Sequence, residues 1–336
     1  MGSFKKRIYT RLRNILMRFP EPIIRMYEII EQRNIKNKHY SSHGIPIVNE
    51  GNLVISVIND FVNPGGLTDR IFGIISTYYV CKLCGRDFKI YHDKPFDLTK
   101  FLLPSKVDWK IEREDIKFDN SSRPIFIRAI SPPKTEKRYK CLRHIIDTSC
   151  NGQLHVYSNL KIFPQEQFAL LFNELFVPSE ILKSTIKSHQ DNINGEYSSM
   201  TFRFQKLLGD FDEGDYPVLD KPKRESLLAR CLDVVKSRIA NSDKKILVTS
   251  DSQTFLKQVS ILDKVYVIPG KVAHMAYTSD PSLELHLKSF TDLFMIANAN
   301  KIYSVIVGPM YDSGFPKMAS MIYNKPFEKI IEELPL

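Results

Sequence analysis

At 336 residues the chain is too long for one small module and suits two domains of ordinary size. With 43% hydrophobic, 26% charged and 11% aromatic residues it has enough apolar mass for packed cores, and fourteen Gly and nineteen Pro without a period exclude a collagen-like or low-complexity polymer. The formal charge of +10 is uneven: residues 1–40 carry +7, the remainder only +3.

Within the basic segment, Phe4, Ile8, Leu12, Ile15, Leu16 and Phe19 recur at three- and four-residue steps and predict an apolar helical stripe. Lys5, Lys6, Arg7, Arg11, Arg13 and Arg18 fall mostly outside it, and Pro20 and Pro22 are expected to end the helix. Such a helix over residues 4–19 suits an anionic membrane surface, or docks on the protein's own body. The cations threaded through this start speak against a secretory signal, and no run approaches the ~20 apolar residues of a spanning helix. Five cysteines make no disulfide scaffold, so a reduced, cytoplasmic protein is expected, peripheral on an inner membrane face if the helix binds there. No recognised nucleic-acid module follows, and nucleic acid is not an expected partner.

Leu53–Ile58 is a continuous apolar run rich in β-branched residues, as in a strand buried on both faces. The turn Asn63-Pro64-Gly65-Gly66 leads to a helix over Leu67–Cys84. Strands are predicted at Phe88–Ile90, Pro124–Ile130 and His155–Leu160, a helix at Phe168–Phe176, and a break at Pro178. The second half alternates more regularly: strands Ser198–Gln205, Lys245–Ser250, Lys264–Ile268 and Lys301–Val307, helices Glu225–Ala240, Asp251–Val259, Leu283–Asn298 and Gly314–Tyr323. The alternation predicts parallel α/β layers. The expected architecture is an extension over 1–45, a Rossmann-like domain over 46–178 and a second over 179–336, facing a cleft, with ligand at the carboxyl ends of the strands.

Four segments sit where chemistry is expected. Gly65 and Gly66 let the backbone approach a ligand, and the following helix start, with Asp69 and Arg70, offers amides to an anion or polar acceptor; a plain strand-to-helix turn explains the same residues. Arg203 ends a strand, where it would fork onto a phosphate or pair with an acid of the nearby Gly209–Glu213 stretch. Asp251 and Ser252 follow the next strand and suit ribose or base contacts, or a helix cap. Ser313, with the amides of Gly314 and Phe315, follows the last predicted strand and could hold a pyrophosphate; Asp292, in the preceding helix, could meet a base or lie at the surface. Cys81 and Cys84 form a lone CxxC without matching ligands elsewhere, and the eight histidines form no HExxH pattern, so no metal is expected.

In this order the segments resemble the GT-B fucosyltransferases, the group of α-1,2-, α-1,6- and protein O-fucosyltransferases. GGLTDR at 65–70 is similar to that group's GGLGNR-type opening, and FRFQKLLGDF at 202–211 to its H-x-R-x-G-D motif. VTSD at 248–251 is similar to its T-D-D segment, and DLFMIANANKIYS with YDSGFPKMAS at 292–320 to its closing D…S-x-F-S…A stretch. Thr201 stands where the group often has His, Asp69 replaces Asn or Gln, and Gln205–Leu208 adds residues before Gly209. The resemblance implies a GT-B fold and a metal-independent, inverting transfer of fucose from GDP-fucose to a glycan acceptor in polysaccharide or glycoconjugate assembly. It implies that Arg203 meets the β-phosphate, that Ser313, Gly314 and Phe315 hold the same diphosphate, and that Asp251, Ser252 and Asp292 contact the nucleoside. Asp210 is the first candidate for general base and Asp69 the second, with Gly65, Gly66 and Arg70 on the acceptor side. The alternatives are another sugar nucleotide as donor, or a catalytically idle sugar- or nucleotide-binding protein.

Overall fold

A computed structural model of the protein describes residues 21–43, 52–129, 135–149, 152–211, 213, 216–276, 278 and 280–334. The helix expected over residues 4–19 lies outside them. The chain divides into two compact units, Met1–Leu98 with Pro104–Val177 and Thr99–Leu103 with Pro178–Leu336.

In the first unit, helix α1 (Glu21–His39) precedes β1 (Leu53–Ile58), α2 (Leu67–Cys84), β2 (Asp87–His92), β3 (Ser122–Ile127), α3 (Thr135–Thr148), β4 (Gln153–Ser158) and α4 (Phe168–Leu175). The four strands form a parallel sheet in the order β2-β1-β4-β3. The apolar run of β1 is buried along nearly its whole length, as a sheet covered on both faces requires. Helix α2 lies so close to the end of β4 that a Cβ on Gly73 would stand 2.0 Å from the carbonyl oxygen of Ser158. Only glycine permits that approach. Pro22, expected to break a helix, instead stands in the first turn of α1, where its missing N–H costs nothing. Over Glu21–His39 the basic extension is part of this unit: α1 packs against β3, and Ile35 and Tyr40 join Ile55, Val57, Phe126 and Tyr157 in one core. Its Glu28 is buried, accepting from the Arg138 guanidinium at 2.6 Å and the Arg128 amide at 2.9 Å.

The second unit runs α5 (Glu180–Ile193), β5 (Tyr197–Phe202), α6 (Lys221–Ala240), β6 (Lys245–Ser250), α7 (Gln253–Val259), β7 (Val265–Tyr266), α8 (Leu283–Asn298), β8 (Ile302–Val307), α9 (Gly314–Ile322) and β9 (Phe327–Glu332). Its five strands are parallel in the order β9-β8-β5-β6-β7. The chain thus starts at the centre with β5, builds outward through β6 and β7, and returns to β8 on β5's other side. The junction of β5 and β8 is therefore the topological switch point, where open α/β sheets bind ligands. Met200, Phe202, Val248, Phe255 and Val305 belong to the core that fixes these strands against α6 and α7. Helix α8 is buried on almost every side and packs against α5 and α9. The outermost strand, β9, is largely exposed, with Ile331 71% accessible. Three of its six residues carry ion pairs back to the unit: Glu328 to Lys301, Lys329 to Asp312 and Glu332 to Arg230.

Several expected boundaries shift by a few residues, two of them for reasons the side chains make plain. The strand predicted to run to Gln205 ends at Phe202, because the amides of Phe204 and Gln205 turn to donate to the Asp251 carboxylate and Gln205 takes φ +54°. The helix predicted from Glu225 begins at Lys221, where Asp220 caps it by accepting from the Lys223 amide at 3.0 Å.

Candidate functional site

At the switch point of the second unit, the segments after β5 and β8 meet: the Tyr311 amide donates to the Arg203 carbonyl at 3.2 Å. The Arg203 side chain, 16% exposed, lies among carboxylates. It forms one ion pair with Asp251 at 2.8 Å and a second with Glu213, and its guanidinium carbon stands 4.8 Å from the Phe211 ring centroid. The arrangement is the ion-paired one that the sequence offered as the alternative to a phosphate fork.

The two carboxylates are held differently. Asp251 is 5% exposed and belongs to the scaffold: one oxygen accepts from the Phe204 amide at 2.9 Å, the other from the Gln205 amide at 2.7 Å. Burial pushes its carboxyl above the ordinary range, while Arg203 and those amides pull it back. Glu213 is pushed up by burial too, against the pull of Arg203; its other oxygen lies 3.6 Å from Nε2 of His274. Neither Glu213 nor His274 is a predicted site residue. Glu213 was visible only as part of an acid-rich stretch after the arginine, and His274 has no spacing signal at all.

Of the residues expected at the nucleoside, none presents an open side chain. Asp251 is a brace, as above. Ser252 is fully buried and caps α7: its Oγ accepts from the Phe255 amide at 3.1 Å and donates to Asp210 at 2.8 Å. Asp292 is neither at the surface nor open, because both its oxygens accept from the buried ammonium of Lys288 one helical turn earlier. Burial drives its carboxyl upward and Lys288 opposes this. Thr201, at the position of the group's usual His, is tied by its hydroxyl to that of Thr249 at 2.9 Å, joining β5 to β6.

Asp210 is brought beside this cluster. One oxygen accepts from Ser252 and from the Thr254 amide at 2.8 Å, which fixes the carboxylate on the first turn of α7. The other oxygen has no partner among the described residues. That second oxygen is buried, an acceptor left unpaired inside the unit. Ser313 caps α9, accepting from the Phe315 amide at 3.2 Å; Pro316 has no N–H, and Gly314 is exposed. The Phe315 amide is thus already used, and of the two expected amides Gly314 is the accessible one.

In the first unit the glycine turn is a tightly built cap. Gly65 adopts φ +93° and its amide donates to Asn63 Oδ1 at 2.9 Å; a Cβ there would fall 2.3 Å from a carboxylate oxygen of Asp69. Asp69 accepts from the Gly66 amide at 3.3 Å, the one half of a capping box that a glycine N-cap permits, so its carboxylate serves the start of α2. Arg70 points inward, 3% exposed, donating to the carbonyls of Gly65 at 3.1 Å and Lys94 at 2.7 Å and lying 3.3 Å from His92 Nε2. Burial pushes this guanidinium down to about 10. His92 Nδ1 lies 3.0 Å from the Phe96 carbonyl, so the imidazole that donates there accepts from Arg70 with Nε2. Cys81 and Cys84 are free, and burial pushes the Cys81 thiol up. Among the described residues no three His, Cys, Asp or Glu side chains gather as metal ligands, and no helix is long and apolar enough to cross a membrane.

No family model and no curated protein matches the sequence. Solved structures match the fold. The NodZ α-1,6-fucosyltransferase soaked with GDP-fucose is similar at 15% identity and TM-score 0.53, over 81% of this chain and 93% of that one. NodZ from Bradyrhizobium gives TM-score 0.51 at 15% identity, over 80% and 91% of the two chains. A variant of FUT1 from Arabidopsis thaliana in complex with GDP gives TM-score 0.54 at 11% identity, over 91% and 79%. The chain has the fold of the GT-B fucosyltransferases.

Proposed function

We propose that the protein transfers fucose from GDP-fucose to a hydroxyl of a glycan acceptor, with inversion, and that its second unit binds the donor. The observation that carries this reading is Arg203 at the carboxyl end of the central strand, joined at the switch point to the Ser313 loop, in a fold shared with proteins crystallised with GDP or GDP-fucose. A diphosphate takes the place of Glu213 on the guanidinium, anion for anion. Asp251 stays, because two backbone amides hold it where it orients the fork. As the bond from the anomeric carbon to the diphosphate breaks, the charge growing on the leaving oxygen is met by Arg203 and by the Gly314 amide. The acceptor oxygen attacks from the opposite side of that carbon, and its proton passes to Asp210, whose second oxygen is buried and unpaired among the described residues and must be uncovered as the substrates bind, a contribution of about 10²–10⁴-fold for such a base.

One observation favours a second reading, a nucleotide-binding protein without turnover: two carboxylates already occupy Arg203. Thermal-shift screening against GDP, GDP-fucose, GDP-mannose and UDP-sugars, followed by assay of donor hydrolysis, separates the two. A ligand at 100 times its Kd adds about 2.7 kcal/mol of stability. Stabilisation by GDP-fucose with release of GDP supports the transferase; stabilisation without release supports the idle binder. Arg203→Lys keeps the charge but loses the fork, so its GDP binding falls if the guanidinium holds the diphosphate. Unchanged binding in that variant refutes the assignment.

A further inference from the structure

Helix α1 sorts its side chains in an unusual way for a helix docked on its own protein. The inward side carries Ile24, Ile35 and the buried Glu28. The outward side should then be polar throughout, yet its first three turns present Met26 at 56%, Ile29 at 42% and Ile30 at 46% exposure. Arg33 and Lys36 continue the same exposed arc, and among the described side chains no acid of α1 lies on it: Glu28 is buried and Glu31 half-buried on the other side. The surface is apolar and cationic at once.

That combination selects its occupant. The twenty residues before α1 carry six cations and no acid, so folding them over this face would set like charges against Arg33 and Lys36. A second copy meeting it about a two-fold axis would bring the same cations together. An anionic lipid surface takes the apolar side chains into the boundary between headgroups and acyl chains and meets the cations with phosphate. The geometry points to the outward face of α1 as a docking surface for an anionic bilayer, through Met26, Ile29 and Ile30 with Arg33 and Lys36. The site is independent of the donor site and of the activity proposed above.

The test is sedimentation of the full chain with vesicles of phosphatidylcholine alone and of phosphatidylcholine mixed with phosphatidylglycerol. The wild type is expected to sediment with the anionic vesicles only, and less so as salt rises. Arg33→Gln with Lys36→Gln should weaken partitioning about thirtyfold, the equivalent of about 1 kcal/mol per cation. Met26→Ser with Ile29→Ser and Ile30→Ser should abolish it while GDP binding and the circular dichroism spectrum stay unchanged, since these side chains are exposed. Three results overturn the proposal. The wild type fails to bind either vesicle; the triple variant binds as the wild type does, leaving residues 1–20 as the sole anchor; or the triple variant dissolves a dimer without changing vesicle binding.

Discussion

Each unit has a mostly buried arginine after its first strand, Arg70 in the first turn of α2 and Arg203 directly after β5, and the two are satisfied in opposite ways. Arg70 donates to two carbonyls and lies against an imidazole, all neutral acceptors, with the Asp69 charge also acting on it. Arg203 is flanked by two carboxylates, one more negative charge than it can cancel. Neutral acceptors of fixed backbone cannot be exchanged for a ligand, so Arg70 is a strut for the Gly65 turn. Surplus anions can be exchanged, and among the described residues Glu213 is held by the side chains of Arg203 and Gln205, whereas Asp251 is held by two backbone amides. A buried cation becomes a binding group when its partner is replaceable.

The comparison breaks most visibly on removal of each guanidinium. Arg203→Ala leaves Asp251 and Glu213 facing each other and should cost about 3–5 kcal/mol, measured by urea denaturation at pH 7. Both carboxyls are already raised in the folded state and would rise further. The folded variant therefore binds more protons than the unfolded chain above the ordinary carboxylate pKa of about 4, and stability grows as pH falls toward that value. Its deficit should shrink on acidification; a deficit that stays constant from pH 7 to pH 4.5 contradicts the paired-carboxylate account. Arg70→Ala should cost less, about 1–3 kcal/mol for the acceptors left unpaired. The carbonyls it uncovers do not titrate and no second carboxylate is left facing them, so any recovery on acidification should come from the uncovered His92 imidazole alone and be smaller than that of the Arg203 variant.

A finer test exchanges the movable anion. Glu213→Gln keeps the shape but releases the charge on Arg203, and calorimetry should show GDP binding tighter by about tenfold, the ratio that about 1.4 kcal/mol carries. Weaker binding would make Glu213 a holder of Arg203, not its placeholder.

Much of this frame was readable from the chain. The β-branched runs of β1 and β6 and the periodic helices α2 and α8 stand where the residues predicted them, because each is buried and so written in apolar pattern. Helices α1, α3 and α5 and strand β9 were not anticipated: their exposed sides are charged, and the alternation of β9 mixes Glu and Lys with isoleucine. The position of Arg203 follows from its strand, but its partners do not. Asp251 arrives from the neighbouring strand 48 positions on, and which acid of Gly209–Glu213 turns inward is decided by packing around Phe211 and Arg203. Asp251, Ser252 and Asp292 could be read either way in the sequence for a common reason: the residue types that recognise nucleosides are also those that cap helices and fill buried ion pairs.

The closing strand β9 leaves one row of backbone groups unpaired at the margin of its sheet. Its tethered Glu328, Lys329 and Glu332 add little to stability as surface ion pairs, yet they set alternating fixed charges along that margin. An incoming strand would have to strip or match them before hydrogen bonding could begin. Charges at an edge strand are a recognised obstacle to edge-to-edge pairing, and here they stand at the margin where such pairing would start.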